Sequence, residues 1–461
     1  MIKDTKSYNN KENQVVTFGC RLNSFESEAI KNAIDIAGEK NYIVFNSCAV
    51  TEKAEQDLKK AIKKFRKQNP EAKIVVTGCA AQIDPKKYAI MKEVDLVLGN
   101  AEKSKAESYK NNSIFLKDNR QANIKNHSDE IFLKTRQQNS LFLSEDDYGK
   151  IRVNDIMSVR ETAPQLVSYF EDQTRAFLEI QNGCNHRCTF CIIPFGRGNS
   201  RSVPFGEIIA QSRKMIDAGH KEIVLTGVDI SDYGKDFPAP ISLTKMIKRM
   251  LDLLPDLPRL RLSSVDVAEL GEDFCELLAT QPRLMPYLHL SIQSGDDLIL
   301  KRMARRHNRQ DVIDFCLKAK KVRPEIAFGC DIIAGFPTES NDAFNNSVNL
   351  IKELGLVYTH IFPYSARDGT PASKMPQIPA KIIKERARIL REVGNLELQK
   401  FMQKNINKKS KILLEKNNFG KSENFLDVKI VDDLQSNIKV GSIVEVEIIG
   451  IENNHLLAKI L

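Results

Sequence analysis

The placement of cysteines constrains this chain more than any other feature. Three of its nine cysteines, Cys184, Cys188 and Cys191, have the spacing CxxxCxxC. They directly follow Phe177–Gln181, an apolar run that reads as a strand. A large chain with an odd number of cysteines is not built on a disulfide framework, so clustered thiols predict a metal or catalytic site in a reducing compartment.

The spacing of this first group favours an iron–sulfur cluster. Three thiolates on one short loop can hold three irons of a four-iron cubane, which leaves the fourth iron open to a cofactor or substrate. The alternative is a closed zinc site, for which His186 would be the fourth ligand. His186 lies between the cysteines, where completing the same tetrahedron would strain the loop.

A second group of cysteines is dispersed along the first part of the chain. Cys20, Cys48 and Cys79 each follow a short apolar run and precede a helical pattern. The carboxyl ends of parallel strands share one edge of a sheet, so the three thiols are expected to converge on a second metal site. The alternative is that they are core cysteines. Core positions are expected for the last three cysteines, which lie within apolar helical or strand-like patterns: Cys275, Cys316 and Cys330.

Alternating short apolar runs and helical periodicity predict an α/β protein with parallel sheets. Four runs predict an N-terminal open parallel sheet: 14–18, 42–45, 73–76 and 94–98. Six more predict a partial (β/α)6 barrel: 177–181, 222–227, 260–264, 287–292, 327–335 and 357–363. Three late runs predict a small all-β barrel: 427–431, 443–449 and 455–460. The expected domains are 1–165, 170–400 and 401–461, with a surface loop or insertion at 111–130.

Composition and charge narrow the class of protein. Hydrophobic residues make up 42% and charged residues 28%, which is typical of a folded globular protein. The net charge of +9 favours a polyanionic partner such as nucleic acid, although a solubilising surface charge explains it equally well. The polar start and the lack of an apolar run of about 18 residues predict a cytoplasmic protein without a membrane partner.

The cysteine motifs resemble those of a known superfamily. CxxxCxxC with an aromatic residue, Phe190, before the last cysteine resembles the radical-SAM enzymes. Two cysteine triads in this order, followed by a segment at 420–425 similar to the RNA-binding TRAM module, resemble the methylthiotransferases within that superfamily. The resemblance extends over nearly the whole chain and includes further segments: 290–295, 300–306, 331–339 and 362–365.

This resemblance implies two [4Fe-4S] clusters and S-adenosylmethionine as cofactors. The cluster on Cys184, Cys188 and Cys191 would cleave S-adenosylmethionine to a radical, and the cluster on Cys20, Cys48 and Cys79 would hold the sulfur to be transferred. No protein side chain is expected as catalytic acid or base. Cofactor contacts are expected at Phe190 and at three residues near the carboxyl ends of barrel strands, for which strand-end packing is the alternative: Gly227, Gln293 and Gly335.

Three substrate branches compete within the family. The motifs look most like those of the branch that converts threonylcarbamoyladenosine at tRNA position 37 to its 2-methylthio derivative. The alternatives are isopentenyladenosine in tRNA and an aspartate of a ribosomal protein. Other classes are an iron–sulfur electron carrier and an RNA-binding zinc module. The expected partners are the tRNA anticodon loop and a small reductase or flavodoxin-like electron donor.

Contacts with RNA are expected near the C-terminus. An unstacked base of the anticodon loop is the expected target, and Phe425 is a candidate for stacking. Six lysines are candidates for phosphate contacts, with an ordinary solvated face as the alternative: Lys404, Lys408, Lys409, Lys411, Lys416 and Lys421.

Overall fold

The structure is a computed structural model that describes residues 12–110, 147, 149–160, 162, 174–432 and 438–461. These residues form two compact units. The first unit contains the described residues up to Val159 together with Phe195–Gly198, and the second contains the described residues of 160–194 and 199–461. The expected loop at 111–130 and the expected boundary between 165 and 170 lie outside the described residues. The division into three domains therefore stays a prediction.

The first unit is an open sheet of five parallel strands in the order β1 to β5. The strands are β1 Gln14–Thr17, β2 Tyr42–Ser47, β3 Lys73–Gly78, β4 Leu96–Leu98 and β5 Ile151–Arg152. The helices are α1 Arg21–Ala37, α2 Glu52–Gln68, α3 Cys79–Ile83 and α4 Lys86–Ala89. The predicted parallel sheet is confirmed, and β5 is an additional two-residue strand.

Helices cover both faces of this sheet. On one face, Ile30 and Ile34 of α1 pack into a core with Tyr42 and Val44 of β2. On the other face, Phe65 of α2 meets Phe45 of β2 edge-on, with ring centroids 5.5 Å apart. Side chains alternate between the two faces of a strand, and helices cover both faces here, so every residue of β2 is buried. This burial on both faces explains the continuous apolar run at the start of β2.

The second unit begins with six parallel β/α units. One sheet has the order β7-β6-β8-β9, in which the short β7 is antiparallel, and the other has the order β10-β11-β12-β13. β9 and β10 are consecutive pieces of one strand interrupted at Ser263. The strands are β6 Arg175–Asn182, β7 Arg201–Ser202, β8 Glu222–Gly227, β9 Arg259–Leu262, β10 Ser264–Val265, β11 Tyr287–Gln293, β12 Ala327–Ala334 and β13 Tyr358–Pro363. The predicted partial barrel is confirmed.

Eight further helices follow in the part of the chain that the structure describes, and the first of them contains residues of both units. They are α5 Ile193–Arg197, α6 Phe205–Asp217, α7 Leu243–Leu253, α8 Glu272–Thr280, α9 Asp297–Arg302, α10 Arg309–Val322, α11 Asn341–Leu354 and α12 Ala380–Gln403. Among the helices that the structure describes, none combines the length and the apolar character needed to cross a bilayer.

The chain ends in a closed five-stranded barrel of order β14-β15-β16-β18-β17. Its strands are β14 Lys409–Lys416, β15 Phe419–Lys421, β16 Asp427–Ile430, β17 Ile443–Glu452 and β18 His455–Ile460. The small all-β barrel is confirmed, and β14 and β15 are strands that the sequence did not predict. Alternate residues of β14, Ile412 and Leu414, enter the barrel core, while the lysines at its ends stay exposed and hide the apolar pattern.

The C-terminal barrel is fixed to the parallel strands by buried polar and aromatic contacts. Arg261 pairs with Glu222 at 2.8 Å and donates hydrogen bonds to the carbonyl oxygens of Ser422 and Glu423. The ring of Phe425 stacks on Tyr287, with centroids 4.7 Å apart. Phe425 therefore already has a stacking partner within the protein, which differs from its expected role as a platform for an RNA base.

Candidate metal centres

The loop after β6 brings its three cysteines to one cavity. Cys184, Cys188 and Cys191 line a space of about 130 Å³. The rest of the wall comes from the loop itself and from the carboxyl ends of neighbouring strands: His186, Phe190, Ile193, Val228, Asp229, Ser264, Asp266, Ser291 and Arg305. The structure thus gathers the thiols where an open parallel barrel presents its strand ends.

Burial raises the pKa of two of these thiols, Cys184 and Cys191. Burial, followed by the neighbouring carboxylate of Asp229, raises the pKa of Cys184 to about 12. Burial also raises the pKa of Cys191 to about 11, against the effect of a backbone hydrogen bond from Ile193. A bound cation would reverse this preference, because metal-bound cysteine is a thiolate.

One guanidinium group faces this triad. Arg305 lies with Nη1 3.7 Å from the sulfur of Cys188, and its Nη2 is 3.0 Å from the carboxylate of Asp266. The same Nη2 donates to the carbonyl oxygen of Ser291 at 2.7 Å. Arg305 is therefore held in place by two acceptors while it offers a positive charge to a thiol.

A turn after β8 places a carboxylate beside the first cysteine. The side-chain oxygen of Gln181 accepts hydrogen bonds from the backbone N–H groups of Val228 and Asp229, at 3.1 and 2.8 Å. Asp229 then lies 3.1 Å from Nε2 of His186 and 4.0 Å from the sulfur of Cys184. His186, the residue considered for zinc, thus faces a carboxylate.

The four expected cofactor residues fall into two groups. Phe190 lines the cavity and packs edge-on against Phe336, with ring centroids 6.4 Å apart. Gly227, at the end of β8, does not line it, and a Cβ there would lie 2.5 Å from the carbonyl oxygen of Gln181. Close packing alone therefore requires glycine at this position.

Gln293 and Gly335 also lie at strand ends but outside the lining of this cavity. Gln293 has a φ of +70° at the end of β11, where the pairing with β12 shifts register. Gly335 follows β12 with a φ of +73°, and its N–H donates to buried Glu339 at 3.0 Å. Their contact with a cofactor stays a prediction.

The dispersed cysteines of the first unit also meet. Cys20 precedes α1, Cys48 follows β2 and Cys79 begins α3, so all three lie at the carboxyl edge of the sheet. Burial, with the neighbouring thiols of Cys79 and then Cys20, raises the pKa of Cys48 to about 12. Gly19 lies against this group, because a Cβ there would be 2.8 Å from the Cβ of Cys48.

A buried ionic network supports this second triad. Arg197 is only 2% exposed, and its Nε donates to the sulfur of Cys79 at 3.0 Å. Its Nη2 donates to Glu26 at 2.9 Å and to the side chain of Asn23 at 2.6 Å. Lys103, 1% exposed, pairs with the same carboxylate at 2.7 Å. Burial alone would raise the pKa of Glu26, but these two cations lower it to about 2.

Both triads fit an iron–sulfur cluster. At each, three thiols converge at the carboxyl edge of a parallel sheet and a guanidinium group faces one sulfur. A cluster supplies the positive iron charge that converts such thiols to thiolates, and hydrogen bonds to its sulfurs tune its potential. Cys275, Cys316 and Cys330 are buried in helices and a strand, as predicted for core residues.

The roles of the two arginines, Arg197 and Arg305, were not predicted from the sequence. One signal was present for the first: Glu26 lies on the face of α1 that also buries Leu22, Phe25 and Ile30. A carboxylate on an apolar face requires a buried cationic partner, although the sequence does not identify it. Arg305 stands in a row of basic residues that offers no such distinction.

Two family models match the chain. Residues 178–351 match the Radical SAM superfamily, and residues 12–99 match Uncharacterized protein family UPF0004. The first match contains Cys184, Cys188 and Cys191, and the second contains Cys20, Cys48 and Cys79. The two cysteine triads therefore fall in two separately defined sequence families.

Curated relatives match nearly the full length. "Threonylcarbamoyladenosine tRNA methylthiotransferase MtaB" of Rickettsia prowazekii is 48% identical, covering 97% of both chains. The protein of the same name from Aquifex aeolicus is 35% identical, over 90% of this chain and 95% of the relative. "tRNA-2-methylthio-N(6)-dimethylallyladenosine synthase" of Clostridium tetani is 30% identical, over 94% and 93%. Identity is thus higher to these two threonylcarbamoyladenosine enzymes than to the dimethylallyladenosine enzyme.

Proposed function

This chain belongs to the radical-SAM methylthiotransferase family, and from that premise we propose that it methylthiolates threonylcarbamoyladenosine at position 37 of tRNA. The observation that carries the proposal is the 48% identity, over 97% of both chains, to a relative named for this reaction. A relative named for dimethylallyladenosine is 30% identical, so that branch is the weaker candidate.

S-adenosylmethionine and a [4Fe-4S] cluster are the cofactors that the Radical SAM superfamily implies. We assign this cluster to Cys184, Cys188 and Cys191, and a second one to Cys20, Cys48 and Cys79. When bound, the first supplies the electron that cleaves S-adenosylmethionine, and the second supplies the sulfur. The need for a radical is physical, because the C–H bond at carbon two of adenine is too weak an acid for proton abstraction.

The protein's own side chains position and tune these groups. Arg197 and Arg305 each direct a cationic N–H at a cysteine sulfur, which stabilises negative charge on the cluster ligands. Gln181 fixes the turn that carries Asp229 into the cavity wall. Phe190 forms another part of the wall with its ring, which would help to exclude water from a cluster bound in the cavity.

The proposed partners follow from the same premise. Five exposed lysines on and before β14 are proposed to contact the phosphates of a tRNA anticodon loop: Lys404, Lys408, Lys409, Lys411 and Lys416. Of these, Lys411 also pairs with exposed Glu445 at 3.4 Å. Lys421 is less available, since it pairs with Asp427 at 2.7 Å. A small reductase or flavodoxin-like protein is proposed as electron donor. The functional division proposed is 1–165, 170–400 and 401–461.

Mass spectrometry of tRNA nucleosides tests the proposed function. Cells lacking this protein should accumulate threonylcarbamoyladenosine and lose its 2-methylthio derivative, and the intact gene should restore it. Loss of the 2-methylthio form of isopentenyladenosine would move the assignment to that branch. Unchanged tRNA nucleosides together with an unmodified ribosomal-protein aspartate would move it to the third branch.

A further inference from the structure

A chain of polar side chains crosses three neighbouring strands of the second unit. The hydroxyl of Tyr287 on β11 lies 2.9 Å from Nδ1 of His289. Nε2 of His289 lies 3.0 Å from Oδ1 of Asp331 on β12, and Nδ1 of His360 on β13 lies 3.3 Å from the same oxygen. The proposed function as stated above gives these side chains no role.

The local backbone is shaped to hold this chain. Gly329 lies under it, because a Cβ there would be 2.4 Å from the hydroxyl of Tyr287 and 2.5 Å from Nδ1 of His289. Burial would raise the pKa of Asp331, but the hydrogen bonds from His289 and His360 hold it well below its usual range. The carboxylate is therefore ionised and fixed between two imidazole rings.

The chain of side chains connects the cysteine cavity with solvent. Ser264 lines that cavity, and its hydroxyl lies 3.5 Å from the second oxygen of Asp331. At the other end, β13 is the last strand of its sheet, and the side chain of His360 is 58% exposed. The polar groups thus run from the cavity wall to the open edge of the barrel.

The three residues differ in what they can still bind. His289 uses both ring nitrogens, one toward Tyr287 and one toward Asp331. His360 faces Asp331 with Nδ1, and its exposed ring can meet a molecule arriving from solvent. Asp331 and His289 therefore orient His360, and His360 is the group available to a ligand.

Resting on the proposed function, we propose that His360 binds the N6-threonylcarbamoyl group of the target adenosine as a specificity-determining residue. This group carries a carboxylate, a hydroxyl and urea-type N–H and C=O groups, all of which pair with an imidazole. An isopentenyl group is a hydrocarbon and offers no hydrogen-bond partner. A site built to pair polar groups rejects an analogue that lacks them.

The test compares purified, cluster-loaded wild type with His360→Phe and His360→Gln. Phenylalanine keeps a planar ring and removes both nitrogens, whereas glutamine keeps a donor and an acceptor. For tRNA carrying threonylcarbamoyladenosine, the KM of His360→Phe should rise about tenfold or more, and that of His360→Gln should rise less. The Kd for the same tRNA with unmodified adenosine should stay unchanged. Iron content and Tm serve as folding controls.

The outcomes separate the inference from the proposed function. Wild type that does not methylthiolate this tRNA at all would reject the proposed function. Active wild type with an unchanged KM in His360→Phe would overturn the inference alone. An equal loss of affinity for unmodified tRNA would also overturn it, because His360 would then be a general RNA contact. The inference would also be overturned if the wild type held one equivalent of a non-iron divalent metal that is absent from His360→Phe. Two imidazoles and a carboxylate are a common metal-ligand set.

Discussion

The two cysteine triads have similar surroundings but are built from different parts of the chain. In the second unit, one loop after β6 supplies Cys184, Cys188 and Cys191. In the first unit, three separate strand ends supply Cys20, Cys48 and Cys79. The loop triad depends on local chain geometry, whereas the dispersed triad exists only when the whole sheet is formed. The dispersed triad can therefore assemble only when the first unit has folded.

The arginines beside the two triads differ in their distance from a cysteine sulfur and in their burial. Arg197 donates to Cys79 at 3.0 Å within a network that includes Glu26 and Lys103. Arg305 lies 3.7 Å from Cys188, and its partner Asp266 also contacts Arg306 and His307. The dispersed triad thus has the shorter contact to a sulfur and the more deeply buried arginine.

The largest expected effect is that replacing each triad by alanine abolishes a different step of the reaction. Alanine at Cys184, Cys188 and Cys191 should abolish reductive cleavage of S-adenosylmethionine, because these residues are the proposed ligands of the cluster that would donate the electron. Alanine at Cys20, Cys48 and Cys79 should abolish methylthio transfer but leave the cleavage of S-adenosylmethionine measurable. Chromatography of 5′-deoxyadenosine and of tRNA nucleosides measures both. Full transfer activity in the second variant would remove the distinction between the sites.

The second effect concerns Arg197. Replacing Arg197 by methionine removes the N–H donor to Cys79 and one of two cations on Glu26, so we expect a loss of about 3–5 kcal/mol in unfolding free energy. The potential of the cluster on that triad should fall as well. Chemical denaturation and anaerobic redox titration measure the two.

Two matched variants control this prediction. Arg197→Lys keeps the charge and should lose less stability. Arg305→Met should lower the potential of the other cluster by a smaller amount, since its contact to sulfur is longer. An equal or larger shift at Arg305 would contradict the difference drawn between the triads.

A third, smaller effect depends on pH. Burial would raise the pKa of Asp266, but the hydrogen bond from His307 and the charges of Arg305 and Arg306 hold it well below its usual range. Its contribution to stability is therefore present above the unfolded pKa of about 3.9 and is lost as pH falls below that value. Asp266→Asn should cost about 3 kcal/mol at pH 7.

Urea unfolding of the metal-free chain measures this contribution. The gap between wild type and Asp266→Asn should narrow by about 1 kcal/mol between pH 7 and pH 3, because the unfolded carboxylate becomes protonated while the folded one stays ionised. A gap that does not change with pH would mean that Asp266 acts through packing alone.

The smallest effect concerns Gly227, which was expected to contact cofactor. A Cβ there meets the backbone of Gln181, so Gly227→Ala should cost about 1–2 kcal/mol in unfolding free energy even without cofactor. Gly206→Ala is the control, because a Cβ at Gly206 has open space around it and stability should not fall. A normal unfolding free energy with weakened S-adenosylmethionine binding would support the predicted cofactor contact of Gly227 and contradict a purely structural role.

Sequence patterns predicted the parts of the molecule that depend on local order. The parallel sheets follow from apolar runs such as Tyr42–Phe45, and the loop triad follows from its spacing. The convergence of the dispersed cysteines also followed, because strand ends in a parallel sheet share an edge. What could not be predicted are contacts between distant residues. Arg197 meets Glu26 across 171 positions, and Arg305 meets Cys188 across 117.

Two features of the C-terminal barrel also could not be predicted from the sequence, because they depend on contacts between distant residues. β14 was missed because lysines at its ends interrupt the apolar alternation, although Ile412 and Leu414 fill the core. Phe425 looked available for stacking because its partner, Tyr287, lies on a distant strand. In both cases the deciding contact is tertiary and leaves no trace in neighbouring residues.

Iron and sulfide analysis of the anaerobically reconstituted chain tests the central claim most directly. Two triads that each hold a four-iron cluster predict about eight irons per chain, falling to about four when either triad is replaced by alanine. About four irons in the wild type, or eight irons retained without Cys20, Cys48 and Cys79, would contradict the two-cluster account.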